Sequence, residues 1–145
     1  QNLNMNYKEF DENTHENILY LVLGDHLEKN EKELRLYDEK IHLCVELAII
    51  NGTQTQFQDG VTALDLALTY EFYKTAGVIL GCGVSIEELT NEDGEMITPM
   101  QMCAMKKDWK GMRFLLRWGA SLHNVPPEAD IKESPLQLFV KAGKD

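Results

Sequence analysis

One pattern recurs three times at a constant interval. Thr62-Ala63-Leu64-Asp65-Leu66-Ala67 returns as Thr98-Pro99-Met100-Gln101-Met102-Cys103 and again as Ser134-Pro135-Leu136-Gln137-Leu138-Phe139. From Thr62 to Thr98 is 36 residues, and from Thr98 to Ser134 is 36 again. A second marker keeps the same step: Ile79-Leu80 before Gly83-Val84-Ser85-Ile86 becomes Leu115-Leu116 before Gly119-Ala120-Ser121-Leu122. A fixed period of this size restricts the chain to a stacked array of small supersecondary units, because one such unit cannot bury its apolar face alone.

Each recurring residue has a mechanical role. A Thr or Ser followed by Pro starts a helix: the hydroxyl accepts from backbone N–H groups that no preceding carbonyl can reach, and Pro suits the first helical position. Leu64 and Leu66, Met100 and Met102, and Leu136 and Leu138 then supply an apolar stripe, while the small Ala67 and Ala104 let a second helix pack closely. That second helix carries Thr75, Ala76, Ile79 and Leu80 in one copy and Met112, Leu115 and Leu116 in the next, a spacing that buries a single face. Gly83 and Gly119 stand just past the last apolar pair, where a left-handed helix cap favours glycine.

This arrangement resembles the ankyrin repeat, which reads Gly-x-Thr-Pro-Leu-His-Leu-Ala-Ala-x-x-Gly-His, then a second helix ending Leu-Leu, then Gly-Ala-Asp and a β-finger. Gly60, Thr62, Leu64, Leu66, Ala67, Leu80 and Gly83 match in register, as do Thr98, Pro99, Ala104, Leu115, Leu116, Gly119 and Ala120. The third copy matches through its first helix. Asp65 and Gln101 stand where the family has His, Glu71 and Lys107 where it has Gly, and Gly111 lies inside a helix. The period exceeds the family's roughly 33 residues, which predicts extended connecting fingers. The resemblance implies an all-α, ankyrin-type helical repeat solenoid with an N-terminal helical cap.

Residues 1–58 read as that cap or as a degenerate repeat. The repeats occupy 59–145, at about 59–91, 92–127 and a partial copy at 128–145. Within the cap, residues 1–13 form a polar lead-in, Thr14 caps a helix through Ile18 to Leu23, and Gly24-Asp25 ends it. The charged stretch from Glu28 to Glu33 opens a longer helix with Leu34, Tyr37, Ile41, Val45 and Ala48 near one face and Gly52 as its stop. Val125-Pro126-Pro127 breaks regular structure before the third copy. An array that stops after one helix predicts a half-repeat cap or, the preferred reading, a piece of a longer protein.

Charge narrows the function classes. The net charge is −10, and residues 1–58 hold 11 acidic against 5 basic side chains. That sign opposes simple electrostatic binding to nucleic acid or to an anionic membrane. Cys44, Cys82 and Cys103 are odd in number and widely spaced, which argues against a disulfide framework or zinc module and for reduced, mostly buried thiols in a cytoplasmic protein.

No catalytic, cofactor or metal site is expected. His15, His26, His42 and His123 never reach metal-ligand spacing, and no nucleophile elbow, P-loop or His-Glu-x-x-His motif occurs. Asn91-Glu92-Asp93-Gly94-Glu95 superficially suggests a calcium loop, but the register would place Leu89 and Met100 at ligand positions, so a finger-tip turn is expected. Lys110, Arg113 and Arg117 line one helix face and read as solvated. The family resemblance places partner contacts on a concave surface of fingers and first-helix ends. Carried over, the positions are Gln58, Asp59, Val61, Thr69 and Tyr70, then Glu95, Ile97, Met105 and Lys106, then Glu133 and Lys141. The expected function is a non-catalytic module binding another protein, with Tyr, Ile and Met as exposed apolar anchors. The alternative is a structural or regulatory segment of a larger protein, packing against its own chain or an appended catalytic domain.

Overall fold

A computed structural model describes residues 18–24, 26 and 29–144. The chain divides into two compact units, Gln1–Val84 and Ser85–Asp145. Among the described residues there are seven helices and one two-stranded sheet. The expectation of an all-α chain therefore holds for the bulk of the fold and is corrected by a hairpin. None of the described helices is long and apolar enough to cross a membrane. Residues 1–17, including Thr14 and His15, lie outside the described residues, as does Asp25.

The first unit holds α1 (Ile18–Leu23), α2 (Glu31–Ile50), α3 (Ala63–Thr69) and α4 (Tyr73–Gly81). Helix α2 begins at a capping box. The Asn30 side chain accepts from the Glu33 N–H while the Glu33 carboxylate accepts from the Asn30 N–H. It ends at Asn51, followed by Gly52 at φ 98°. Its Ile41, Val45 and Ala48 are buried and α4 packs against it; Leu36, Leu43, Leu47 and Ile50 point outward. Cys44 is exposed with them, correcting the expectation of mostly buried thiols; Cys82 is half-buried and Cys103 buried. Leu19, Leu23, Leu64, Leu68, Phe72 and Ile79 complete the core of this unit. Each such side chain contributes about 1.5–3 kcal/mol on leaving water.

The second unit holds β1 (Thr90–Glu92), β2 (Glu95–Ile97), α5 (Pro99–Met105), α6 (Trp109–Arg117) and α7 (Pro135–Gly143). The strands pair antiparallel, Thr90 opposite Ile97 and Glu92 opposite Glu95. Asp93 and Gly94 join them with φ of 54° and 89°. Two positive φ values in a two-residue loop make the hairpin turn whose twist matches the strands, and Asp-Gly is a favoured pair for it. Helix α5 packs against both α6 and α7 over Ile97, Met102, Cys103, Leu115 and Leu138.

The 36-residue period is visible in the backbone. Helices α3, α5 and α7 start at 63, 99 and 135, and α4 and α6 at 73 and 109. Thr62, Thr98 and Ser134 each cap the amide three residues on, at 3.0, 3.0 and 3.1 Å. The turns between paired helices also coincide: Phe72 N–H donates to Ala67 C=O as Asp108 N–H does to Cys103 C=O. Glu71 and Lys107, 36 residues apart, both sit at positive φ, 61° and 59°, a left-handed conformation that Gly adopts at less cost.

The second helices differ in how they are capped. Asp108 accepts from Gly111 N–H at 3.0 Å within its own turn. Phe72, its counterpart, has no side chain that can do so. Instead Asp38, buried on α2, accepts from Lys74 N–H and Thr75 N–H, each at 3.0 Å, and from the Thr75 hydroxyl. Gly111, unexpected inside a helix, has a steric reason. A Cβ there would stand 2.7 Å from Cys103 Sγ and 2.5 Å from Asp108 Oδ2.

Candidate functional site

The finger and first-helix ends are built by the turns and caps just described. In the second unit the Asp93-Gly94 turn leaves Glu95 exposed at the finger tip, while strand alternation sends Ile97 inward. Ile97 is fully buried, so its proposed role as an exposed anchor is corrected: it faces the core because it stands opposite the buried Thr90. At the end of α5, Met105 is 40% exposed and Lys106 pairs with Glu92 on the finger at 3.0 Å. Glu133 and Lys141 face each other at 3.7 Å, both largely exposed. Exposed pairs of this kind are worth well under about 1 kcal/mol and leave their charges available to a ligand.

In the first unit the finger closes on itself. Phe57 N–H donates to Val61 C=O at 2.9 Å, Val61 N–H donates to Asp59 Oδ1 at 3.0 Å, and Gln56 bridges to Thr62. Gln58 and Asp59 are exposed, and Val61 half-buried. Thr69 is exposed at the end of α3, its hydroxyl donating to the buried Asp65. Tyr70 is not a free anchor. Its ring lies 5.2 Å from His26 and 5.8 Å from Phe72, and His26 in turn meets Tyr37 at 4.7 Å. This aromatic cluster ties the end of α3 to α2, so Tyr70 packs inside the unit as well as reaching its surface.

Among the described residues no group of three His, Cys, Asp or Glu side chains could hold a metal ion. Four side chains among the described residues have a raised pKa. Burial pushes Glu87 and Glu88 up. Burial, with Glu46 second, raises the Cys82 thiol; burial, with Cys44 second, raises the Tyr37 phenol, which donates to Val22 C=O at 2.8 Å. Glu87 and Glu88 are neighbours in sequence, and among the described residues no hydrogen bond or ion pair joins any two of the four.

Three polar side chains matter more than the pattern foretold. Gln101, fully buried, accepts from Thr98 N–H and donates to the carbonyls of Ile131 and Glu133, all at 2.9 Å. Asp130 joins the next finger to β2: its N–H donates to Met96 C=O at 2.8 Å and its carboxylate accepts from Met96 N–H at 2.7 Å. Asp38 caps α4 from another helix. The recurrence of Gln at 101 and 137 was the available signal for the first; no local signal marks the other two. No protein-family model matches the chain, and no curated protein matches it.

Proposed function

We propose that this chain is a non-catalytic protein-binding module, an ankyrin-type solenoid that engages another protein through its fingers and the ends of its first helices. The observation that carries this reading is the 36-residue recurrence of one capped helix–turn–helix unit, which in the second unit leaves Met105 exposed and Lys106 ion-paired to the finger residue Glu92. A single apolar side chain rimmed by exchangeable charges is what a specific contact needs: Met105 supplies burial, and Glu95, Lys106, Glu133 and Lys141 supply register. In the first unit, taken by itself, Val61, Thr69 and Tyr70 are the corresponding positions. A net charge of −10 fits a partner with basic patches rather than nucleic acid, and an exposed thiol at Cys44 fits the reducing cytoplasm.

The alternative, a structural segment packing against a larger chain, draws support from the outward Leu36, Leu43, Leu47 and Ile50 of α2. The two readings separate in one affinity capture from cell lysate, comparing the parent chain, Met105→Ala with Lys106→Glu, and Leu43→Glu. A partner lost with the first variant and kept by the second supports the finger surface. Loss with Leu43→Glu alone transfers the function to α2. Circular dichroism checks that each variant folds.

A further inference from the structure

We propose that the outer face of α6 is a second docking surface, one that takes an acidic amphipathic helix of another protein. The chain carries 24 acidic and 14 basic side chains, yet residues 106–118 hold five basic ones against the single acidic Asp108, which caps α6. Both tryptophans of the chain lie in the same stretch, and neither is buried: Trp109 is 62% and Trp118 45% exposed. Clustered cations thus share one helix with the two largest aromatic side chains, and Arg beside Trp is the composition that protein interfaces favour.

Helix geometry arranges them in stripes. Gly111, Met112 and Leu115 are buried, so the opposite side of α6 faces water. At about 100° per residue, that side is centred on Lys110, Arg113 and Arg117, all of them exposed. Trp109 and Leu116, the latter 43% exposed, border this basic stripe on one side, and Phe114 and Trp118 border it on the other. Contacts within the unit hold the borders in place: Trp109 meets Phe139 edge-on at 4.4 Å, and Trp118 lies 6.3 Å from Phe114. Among the described residues no carboxylate pairs with Lys107, Arg113 or Arg117. Helix polarity accounts for a cation in the last turn, at Arg117, but not for Lys110 or Arg113 further back.

The repeat does not require these residues. One period earlier, on α4, the stripe positions hold Lys74, Gly77 and Gly81, and Lys74 is paired with Glu39 at 2.9 Å. Lys74 and Gly81 are exposed although helices precede and follow α4, so the openness of this face does not come from where the chain stops. The stripe specifies its occupant. Lys110, Arg113 and Arg117 rise along α6 in steps of about 4.5 and 6 Å, which a helix with carboxylates three and four residues apart matches. Each arginine offers a carboxylate two parallel N–H donors. Apolar side chains flanking those carboxylates reach Trp109 with Leu116 and Trp118 with Phe114. A net charge of −10 repels the uniformly anionic surfaces of nucleic acid and acidic lipid, whereas an amphipathic helix brings its carboxylates to the stripe alone. This face shares no side chain with the finger surface of Glu95 and Met105 and is independent of it.

The test is an NMR titration of the intact, isotope-labelled chain with a synthetic, alanine-based helical peptide of about 18 residues. The peptide carries Glu at alternating steps of three and four residues, with Leu on either side of that line. The expected result is saturable movement of the two indole N–H signals, from Trp109 and Trp118, and of the Arg113 and Arg117 side-chain signals. Binding should weaken about tenfold for Arg113→Gln with Arg117→Gln, about tenfold for Trp118→Ala, and about tenfold when Gln replaces every Glu of the peptide. That last arm uses the parent chain, so it reads the charge requirement whatever the variants do to folding. Several outcomes overturn the proposal: no movement of the indole signals, equal binding of the Glu and Gln peptides, or movement at the Glu95 and Met105 amides in place of α6. Indole movement at lower concentrations of single-stranded RNA or of phosphatidylserine vesicles than of peptide would assign the face to another class of partner. The same shifts on concentrating the chain alone would make a second copy the occupant, and either result overturns the proposal equally.

Discussion

Asp38 offers the sharpest test of how the first repeat is held. Replacing it with Ala removes acceptors from Lys74 N–H, Thr75 N–H and the Thr75 hydroxyl, and the two amides belong to the first turn of α4, where no preceding carbonyl can serve them. Thr75 is fully buried, so water cannot take the carboxylate's place there. Loss of an ordinary helix cap costs about 0.5–2 kcal/mol, and a hydrogen bond to a charged group about 1.5–3 kcal/mol. Because the three bonds share one carboxylate they do not add, and Lys74 N–H is only partly buried, so we expect a loss of about 2–4 kcal/mol. Asp108→Ala removes the equivalent local cap, a single bond of 3.0 Å at a half-exposed site, and should cost about 1 kcal/mol. Urea unfolding followed by circular dichroism measures both, and an unchanged denaturant slope certifies that stability alone has moved. A double-mutant cycle of Asp38→Ala with Thr75→Val should then give a coupling of about 1 kcal/mol or more. The reasoning fails if Asp38→Ala costs no more than Asp108→Ala, or if the cycle is additive.

Three further substitutions test other steps. Gly111→Ala would stabilise an ordinary helix interior by about 0.5–1 kcal/mol, but overlap with Cys103 Sγ and Asp108 should turn this into a loss of about 1–3 kcal/mol; a raised melting temperature would refute the steric account. Lys107→Gly should gain about 0.5–1 kcal/mol by relieving a φ of 59° at an exposed position, and a loss in urea titration would contradict it. Glu88 has a folded pKa raised by burial, so its contribution is complete below the ordinary glutamate value and is lost as pH rises through the raised one. Glu88→Gln should therefore melt higher than the parent at neutral pH and show a flatter stability profile just above the usual carboxylate range; a lower melting temperature at neutral pH would overturn the sign.

What was legible in the sequence was whatever the repeat writes twice. Thr62, Thr98 and Ser134 announce helix starts because a hydroxyl cap acts on an amide three residues away, a distance the sequence itself measures. Gly83 and Gly119, at φ 102° and 97°, are legible for the same reason. The surface assignments fared differently because they depend on where a side chain points. The position of Ile97 before a cap suggests exposure, but strand alternation decides its direction, and β2 turns it inward. The position of Tyr70 at a first-helix end suggests a groove residue, but its neighbours His26 and Tyr37 are distant in sequence and only the fold brings them to it. Nothing local distinguishes Gln101, which is buried, from Gln137, which is not; the difference is made by residues 131 and 133.

The 36-residue period begins after residue 58, yet side chains before that point serve the first repeat. Asp108 is an ordinary cap, whereas Phe72, at the equivalent position, is core. The cap there is supplied by Asp38, 34 residues earlier than Phe72. The Phe72 ring packs on Tyr37 at 5.6 Å, one residue from that same Asp38. The first repeat thus depends on α2 in two ways at once, through a hydrogen-bonded cap and through apolar burial. A chain beginning at residue 59 would leave the Thr75 amide and hydroxyl without an acceptor and would strip Phe72 and Ile79 of the helix that covers them. Helix α2 therefore packs as a layer of the first repeat, and both lie in the unit that ends at Val84.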